Sequence, residues 1–231
     1  MGEQRVALVT GASQGLGRAL AEGLADRGWA LVLDARRGDR LEPAAGELAG
    51  RTAVVAIAGD VTDVEHRRAL VAAVQGFGRL DLLVNNASTL GASPLPALGS
   101  MDLDVLRRIY EVNVVAPLAL MQLLLPALVD WHGTVLNVTS DAAVEAYPEW
   151  GGYGSSKAAL EHLSAILAVE QPDIRALVAD PGDMRTEMHQ DAFPGEDISD
   201  RPQPESIAPA LVGLIESDEP GGRYKVPELV S

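Results

Sequence analysis

Cysteine is absent from the 231 residues. That excludes disulfides, thiolate nucleophiles and thiolate-bound metals, and it suits a reducing, cytoplasmic setting. Lysine is nearly absent as well, with Lys157 and Lys225 set against sixteen arginines. Aromatic residues make up 4% of the chain. Positive charge of any kind is scarce: the net charge is −15, which argues against nucleic acid or an anionic membrane as a partner. Long unbroken apolar runs are missing too. The greasiest stretch, 112–129, is interrupted by Asn113, Pro117, Gln122 and Pro126 and reads as a buried helix, not a membrane span. The start, Met-Gly-Glu-Gln-Arg, leads directly into an apolar segment, so no signal peptide is expected. His66, His132, His162 and His189 share no metal-ligand spacing, and no metal site is expected; each reads as a solvated or capping residue.

What is present is an alternation. With 47% of its residues apolar, the chain can bury one sizeable core, and a single α/β domain over 1–231 is the natural reading. Strands are predicted near 6–10, 30–34, 52–57, 80–85, 133–139, 173–179 and 222–226, with helices near 16–27, 39–49, 64–76, 102–129, 152–170 and 206–217. Ala30-Leu-Val-Leu and Thr52-Ala-Val-Val-Ala-Ile are apolar without alternation, as expected of parallel strands covered on both faces. The expected architecture is a Rossmann-type doubly wound parallel sheet of about seven strands, with helices on both faces and a ligand crevice at its carboxyl edge. Two irregular segments, 88–100 and 182–204, follow strands and would overhang that crevice as substrate loops.

The run Val6-Ala-Leu-Val-Thr10 is followed by Gly11-Ala-Ser-Gln-Gly15-Leu-Gly17 and then by an amphipathic helical pattern. Strand, glycine turn and helix in that order is the setting in which a glycine motif binds a dinucleotide. Glycines let backbone N–H groups approach a pyrophosphate at a helix N-terminus, where the helix dipole favours negative charge. Further on, Tyr153 and Lys157 stand four residues apart in Tyr-Gly-Ser-Ser-Lys, a spacing that puts both on one helical face. An ammonium beside a phenol favours the phenolate, so the pair suits proton transfer at working pH.

Taken together and in this order, these motifs resemble the short-chain dehydrogenase/reductase family, in its compact single-domain form, over essentially residues 5–226. Thr10-Gly-Ala-Ser-Gln-Gly-Leu-Gly17 is similar to the family's cofactor loop, Asp60-Val61 to its adenine contact, and Asn85-Asn86-Ala87-Ser88 to its Asn-Asn-Ala-Gly turn, with Ser88 in place of the glycine. Asn113 matches the asparagine of the long central helix. Ser140, thirteen residues before Tyr153, matches the catalytic serine. Pro181-Gly182 and Thr186 match the turn and threonine that close over the nicotinamide carboxamide.

The resemblance implies an NAD(P)(H)-dependent oxidoreductase that moves hydride between the nicotinamide and a carbonyl or secondary alcohol. Tyr153 would be its general acid/base, Lys157 would tune the phenol and hold the ribose, Ser140 would orient the substrate oxygen, and Asn113 would hold a relay water. Gly11, Ser13, Gln14, Gly15, Leu16 and Gly17, with Asn86 and Ala87, would hold the cofactor. For cofactor choice, Ala35-Arg36-Arg37 points to NADP(H), with Arg36 on the 2′-phosphate. If the second strand ended sooner, Asp34 would take the ribose and NAD(H) would be used. The family also implies a homodimer or homotetramer built through the 102–129 and Tyr153 helices. Two rivals stay open from sequence: a nucleotide-sugar epimerase or dehydratase, and a non-catalytic cofactor-binding sensor.

Overall fold

A computed structural model describes residues 4–229. Seven strands form one parallel sheet: β1 (Val6–Val9), β2 (Ala30–Ala35), β3 (Val54–Ala58), β4 (Leu82–Asn85), β5 (Thr134–Val138), β6 (Arg175–Asp180) and β7 (Gly222–Lys225), in the order β3-β2-β1-β4-β5-β6-β7. The order reverses between β1 and β4, so their carboxyl ends open the crevice that doubly wound sheets use for ligands. β1, β2, β4 and β5 are buried along their whole length, in keeping with their largely apolar sequences.

Helices cover both faces. On one side α1 (Gly15–Asp26), α2 (Gly38–Ala49) and α8 (Pro204–Glu216) bury Leu16, Leu20, Leu24, Leu41, Leu211 and Ile215 against Val9, Leu31 and Leu177. On the other, α3 (Val64–Phe77) and α5 (Ala116–Asp130) bury Leu70, Leu120, Leu124 and Leu128 against Leu8, Val32 and Val135. Local signals set the ends: Asp63 caps α3 by accepting from the Glu65 N–H at 2.8 Å, and Gly78 closes it in the left-handed conformation.

Three expectations need correction. β3 spans 54–58 and lies at the sheet edge, with Val55 37% exposed; a strand with one neighbour keeps its apolar sequence without having both faces covered. The helix expected over 102–129 is α4 (Leu103–Tyr110), a π-turn (Glu111–Val115) and α5, with Asn113 inside the turn. By length and hydropathy Leu103–Asp130 matches a membrane span, yet half of its most apolar window is buried inside the fold. Segment 182–204 is not wholly irregular: it holds α7 (Glu187–Ala192), capped by Thr186, which accepts from the His189 N–H at 3.1 Å. Among the described residues, β7 is followed by the short α9 (Val226–Leu229).

Candidate active site

A cleft of about 910 Å³ runs along the carboxyl edge of the sheet. Of the residues expected to bind or react, Gly11, Ser13, Gln14, Gly15, Leu16, Arg36, Asp60, Val61, Asn86, Ala87, Ser140, Tyr153, Lys157, Pro181, Gly182 and Thr186 all line it. Gly17 and Asn113 lie just beneath the wall.

The β1–α1 turn is packed against its own main chain and the Asn86 amide so closely that Gly11 and Gly17 have no room for side chains. A Cβ on Gly17 would stand 2.3 Å from the Gly11 carbonyl oxygen, and one on Gly11 would stand 2.8 Å from Asn86 Nδ2. Asn86 donates from that nitrogen to the carbonyls of Thr10 and Gly11 at 2.9 and 3.2 Å, stitching the β4 turn to the glycine turn. Thr10 Oγ1 accepts from the Asn86 and Ala87 N–H groups, both at 3.0 Å. Gln14 precedes α1 without a side-chain cap, and Gly15 and Leu16 of its first turn line the cleft. This cradle fits a pyrophosphate.

β2 runs through Ala35. Asp34 is buried, and its Oδ1 lies 2.5 Å from Nε2 of His66, itself buried. His66 is therefore no solvated residue; it is the partner that lets a carboxyl stay inside. Burial pushes the Asp34 carboxyl up, and His66 opposes that. Arg37 pairs with Asp39 at 2.7 Å, whereas Arg36 is exposed at the cleft with no hydrogen-bond or ion-pair partner among the described residues. Asp60 accepts from the Thr62 N–H and hydroxyl at 2.9 and 2.7 Å and from Arg108 at 2.5 Å. Burial pushes that carboxyl up, but these donors outweigh it and hold it at about 2.

Across the cleft, α6 (Gly151–Glu170) carries Tyr153 and Lys157 on one buried face, with Nζ 5.5 Å from the phenol ring centre. Lys157 donates to the Val138 carbonyl at 2.8 Å, and burial lowers its ammonium to about 8. The Tyr153 phenol is pushed above its ordinary value, first by burial and then by the Asp180 and Asp141 carboxylates; the neighbouring Ser88 and Ser140 hydroxyls oppose this. The expected depression by Lys157 does not govern the phenol: burial is the leading influence and raises it, because desolvation disfavours a phenolate.

Asn113 spends its whole side-chain capacity on protein. Its Oδ1 accepts from Ser88 Oγ (3.1 Å) and the Thr89 N–H (2.9 Å), and its Nδ2 donates to the Thr89 carbonyl and Ser156 Oγ, both at 3.0 Å. A relay water would have to sit on the main chain of the π-turn, the kind of helix defect that frees carbonyls at functional sites.

Sequence reasoning missed a partly buried ion network under this half. Arg223 of β7 bonds Glu161 and Asp180, each at 3.0 Å, and the Ser140 carbonyl at 3.3 Å; Asp180 Oδ1 in turn accepts from the Gly182 N–H at 3.0 Å. Arg223 thereby ties the turn carrying Ser140 to the turn carrying Pro181 and Gly182. Asp180, directly before Pro181-Gly182, was the available signal; Arg223 gave none.

The outer wall is aromatic and thioether. Trp150 stands edge-on to Tyr153 at 5.7 Å and tilts against Phe193 at 5.9 Å, and Phe193 meets His189 at 4.9 Å. The His189 side chain is 10% exposed, so it belongs to the cleft wall and is not a solvated loop residue. Of the carboxylates near Arg185 in sequence, Asp183 goes to Arg201 at 3.5 Å and Glu187 to Arg40 at 2.7 Å.

A doubly wound sheet with a phosphate cradle on one side of its crevice and a buried tyrosine–lysine pair on the other defines a nicotinamide-dependent oxidoreductase. The sequence pattern of short chain dehydrogenase matches residues 5–197, and the chain belongs to that family. Over 246 aligned positions it is 35% identical to an uncharacterised oxidoreductase of Methylorubrum extorquens, covering 99% of this chain and 96% of the other. It is 37% identical to serine 3-dehydrogenase of Agrobacterium fabrum over 186 residues, 78% of this chain and 72% of that one. An alcohol dehydrogenase from Thermococcus sibiricus, solved with 5-hydroxy-NADP, superposes with a TM-score of 0.87 at 30% identity, covering 96% of each chain. The protein is an NAD(P)-dependent oxidoreductase acting on a small molecule with a CH–OH or C=O group.

Proposed function

We propose that this enzyme uses NADP(H) and interconverts a carbonyl and a secondary alcohol with Tyr153 as the proton donor and acceptor. The observation that carries this is the shared buried face of Tyr153 and Lys157, set beside Ser140 and opposite the glycine cradle. The bound nicotinamide supplies or accepts the hydride. Gly11, Ser13, Gln14, Gly15, Leu16 and Gly17 would hold its phosphates, Asp60 and Val61 its adenine, Asn86 and Ala87 its ribose side, and Pro181, Gly182 and Thr186 the carboxamide. Negative charge gathers on the substrate oxygen during reduction, and Tyr153 neutralises it by giving its proton. Lys157 holds the ribose hydroxyls and, once its neighbourhood fills with anionic groups, favours the phenolate.

Two features support NADP(H) over NAD(H). The Asp34 carboxylate is turned inward onto His66 and is not available to a ribose hydroxyl, and Arg36 is an unpaired guanidinium at the position where a 2′-phosphate would lie. The Thermococcus sibiricus structure, with its NADP derivative, agrees. Apolar side chains left exposed on α4, α5 and α6 (Leu103, Leu123, Ile166, Val169) support a homo-oligomer through those helices; light scattering that returned a monomer would remove it. The segments 88–100 and 182–204 would choose the substrate, and a cytoplasmic enzyme is proposed.

The test is nicotinamide absorbance with a panel of ketones, aldehydes and alcohols. Tyr153→Phe is expected to lose roughly 10²–10⁴-fold in kcat with little change in cofactor affinity. Arg36→Ala is expected to weaken NADPH by about 10–100-fold and leave NADH unchanged. Equal loss of both cofactors would sink the 2′-phosphate assignment.

A further inference from the structure

Two hydroxyls, those of Ser88 and Ser140, line the cleft wall with Tyr153, and each has a single proton to give. Ser140 donates its proton to Asp141 Oδ1 at 2.9 Å, a charge-assisted bond, while its oxygen also accepts from the Ala142 N–H at 3.2 Å. Turning that proton to another acceptor would give up a bond to a carboxylate. Ser88 is differently placed. Its Oγ–H goes to the neutral amide oxygen of Asn113 at 3.1 Å, and that oxygen keeps a second, shorter donor, the Thr89 N–H at 2.9 Å. Releasing the Ser88 proton therefore leaves no buried acceptor orphaned. Ser88 also lies on the cleft wall with Tyr153, at the turn position where the family pattern has a glycine and no hydroxyl.

We infer that Ser88 is the hydroxyl that answers the ionisation of Tyr153: its proton rests on Asn113 Oδ1 while Tyr153 is a phenol and swings to the phenolate oxygen when Tyr153 has given its proton to substrate. The inference rests on Tyr153 being the acid/base. No bond beyond those of the proposed reaction is made or broken; the Tyr153 O–H breaks, the substrate O–H forms, and the Ser88 O–H rotates. Asn113 is then the resting acceptor of the swivel as well as the anchor of the 88–89 turn. The direction of the Ser88 effect on the phenol, opposing burial, is the one such a donor must have.

The experiment reads the phenol directly. In complex with the oxidised cofactor and without substrate, tyrosinate absorbance is titrated for the wild type, Ser88→Ala, Ser88→Gly, Ser88→Thr and Ser140→Ala, with Tyr153→Phe subtracted as the background of the other tyrosines. The pH profile of alcohol oxidation is taken beside it. Losing the donor is expected to raise the Tyr153 midpoint by about one pH unit in Ser88→Ala and Ser88→Gly, lowering oxidation roughly tenfold on the acid side. Ser88→Thr should restore both. A Tyr153 midpoint unchanged in Ser88→Ala overturns the inference, as does an equal rise in Ser88→Thr, which would make the effect one of packing. An upward shift confined to Ser140→Ala assigns the donor to Ser140 and overturns it too. If the wild type turns over no substrate, the dehydrogenase reading fails by itself, while the tyrosinate titration still decides the role of Ser88.

Discussion

The two walls of the crevice are made of different material. The cofactor wall is close-packed main chain pinned by two short side chains: the Gly11 and Gly17 turn, the Thr10 hydroxyl and Asn86 amide that stitch it to β4, and helix α1 behind it. The reactive wall is made of side chains that lean on one another: Tyr153 on Trp150, Trp150 on Phe193, Lys157 on a carbonyl, and Arg223 between two carboxylates. A backbone wall tolerates almost no change, because neither of the atoms in contact can rotate away. A side-chain wall can be retuned piece by piece, and its protonation states are set by burial and partners more than by identity.

The sharpest way to break the contrast is to add one methyl group to the cofactor wall. Gly17→Ala forces a Cβ to within 2.3 Å of the Gly11 carbonyl oxygen. It is expected to abolish measurable cofactor binding and to cost on the order of 3 kcal/mol or more of stability. Calorimetric titration alongside thermal unfolding checks both, and near-native cofactor affinity in the variant would mean the turn is more pliant than its contacts imply.

A smaller effect tests the reactive wall through pH. Burial holds the Lys157 ammonium at about 8 in the folded chain, below its ordinary value of 10.5. Between those values the unfolded chain binds the extra proton and the folded chain does not, so this group makes the fold more stable as pH rises from about 8 to 10.5. Lys157→Met is expected to be more stable than wild type near neutrality, by up to about 3 kcal/mol, with the gap closing across that window. The difference in unfolding free energy as a function of pH reads it directly; a constant gap would place the ammonium in a solvated setting. The smallest effect belongs to the outer wall. Phe193→Ala removes a half-buried ring from His189 and Trp150 and is expected to cost about 1 kcal/mol of stability. It should change substrate KM and leave cofactor affinity alone; parallel loss of both would dissolve the distinction between the walls.

The same contrast explains what could be read from the chain. Gly11, Gly15 and Gly17 were legible because a close main-chain turn demands glycine in the sequence, and Tyr153 and Lys157 because four residues on a helix are one turn. The doubly wound parallel sheet follows from strands alternating with helices, and the seven-stranded sheet is of that kind; its order came only with the structure. By contrast, His66 looked like any exposed histidine until the fold laid it 2.5 Å from Asp34, and that contact, more than the strand boundary, takes Asp34 away from the ribose. Arg223 lies 62 residues from Glu161 and 43 from Asp180, and no local pattern links them. The π-turn was hidden because Glu111–Val115 holds no glycine or proline to mark a break in the helix.

Sequence by itself determined the alternation of strands and helices, the cradle, and the tyrosine–lysine face, since each depends on contacts within a few residues and on backbone sterics. Tertiary structure alone decided that Ser140 donates to a carboxylate and Ser88 to an amide, that the Asp34 carboxyl meets His66, and that burial lifts the phenol. Those are properties of partners distant in the chain and of the dielectric they enclose, and neither exists until the sheet has brought its carboxyl edge together.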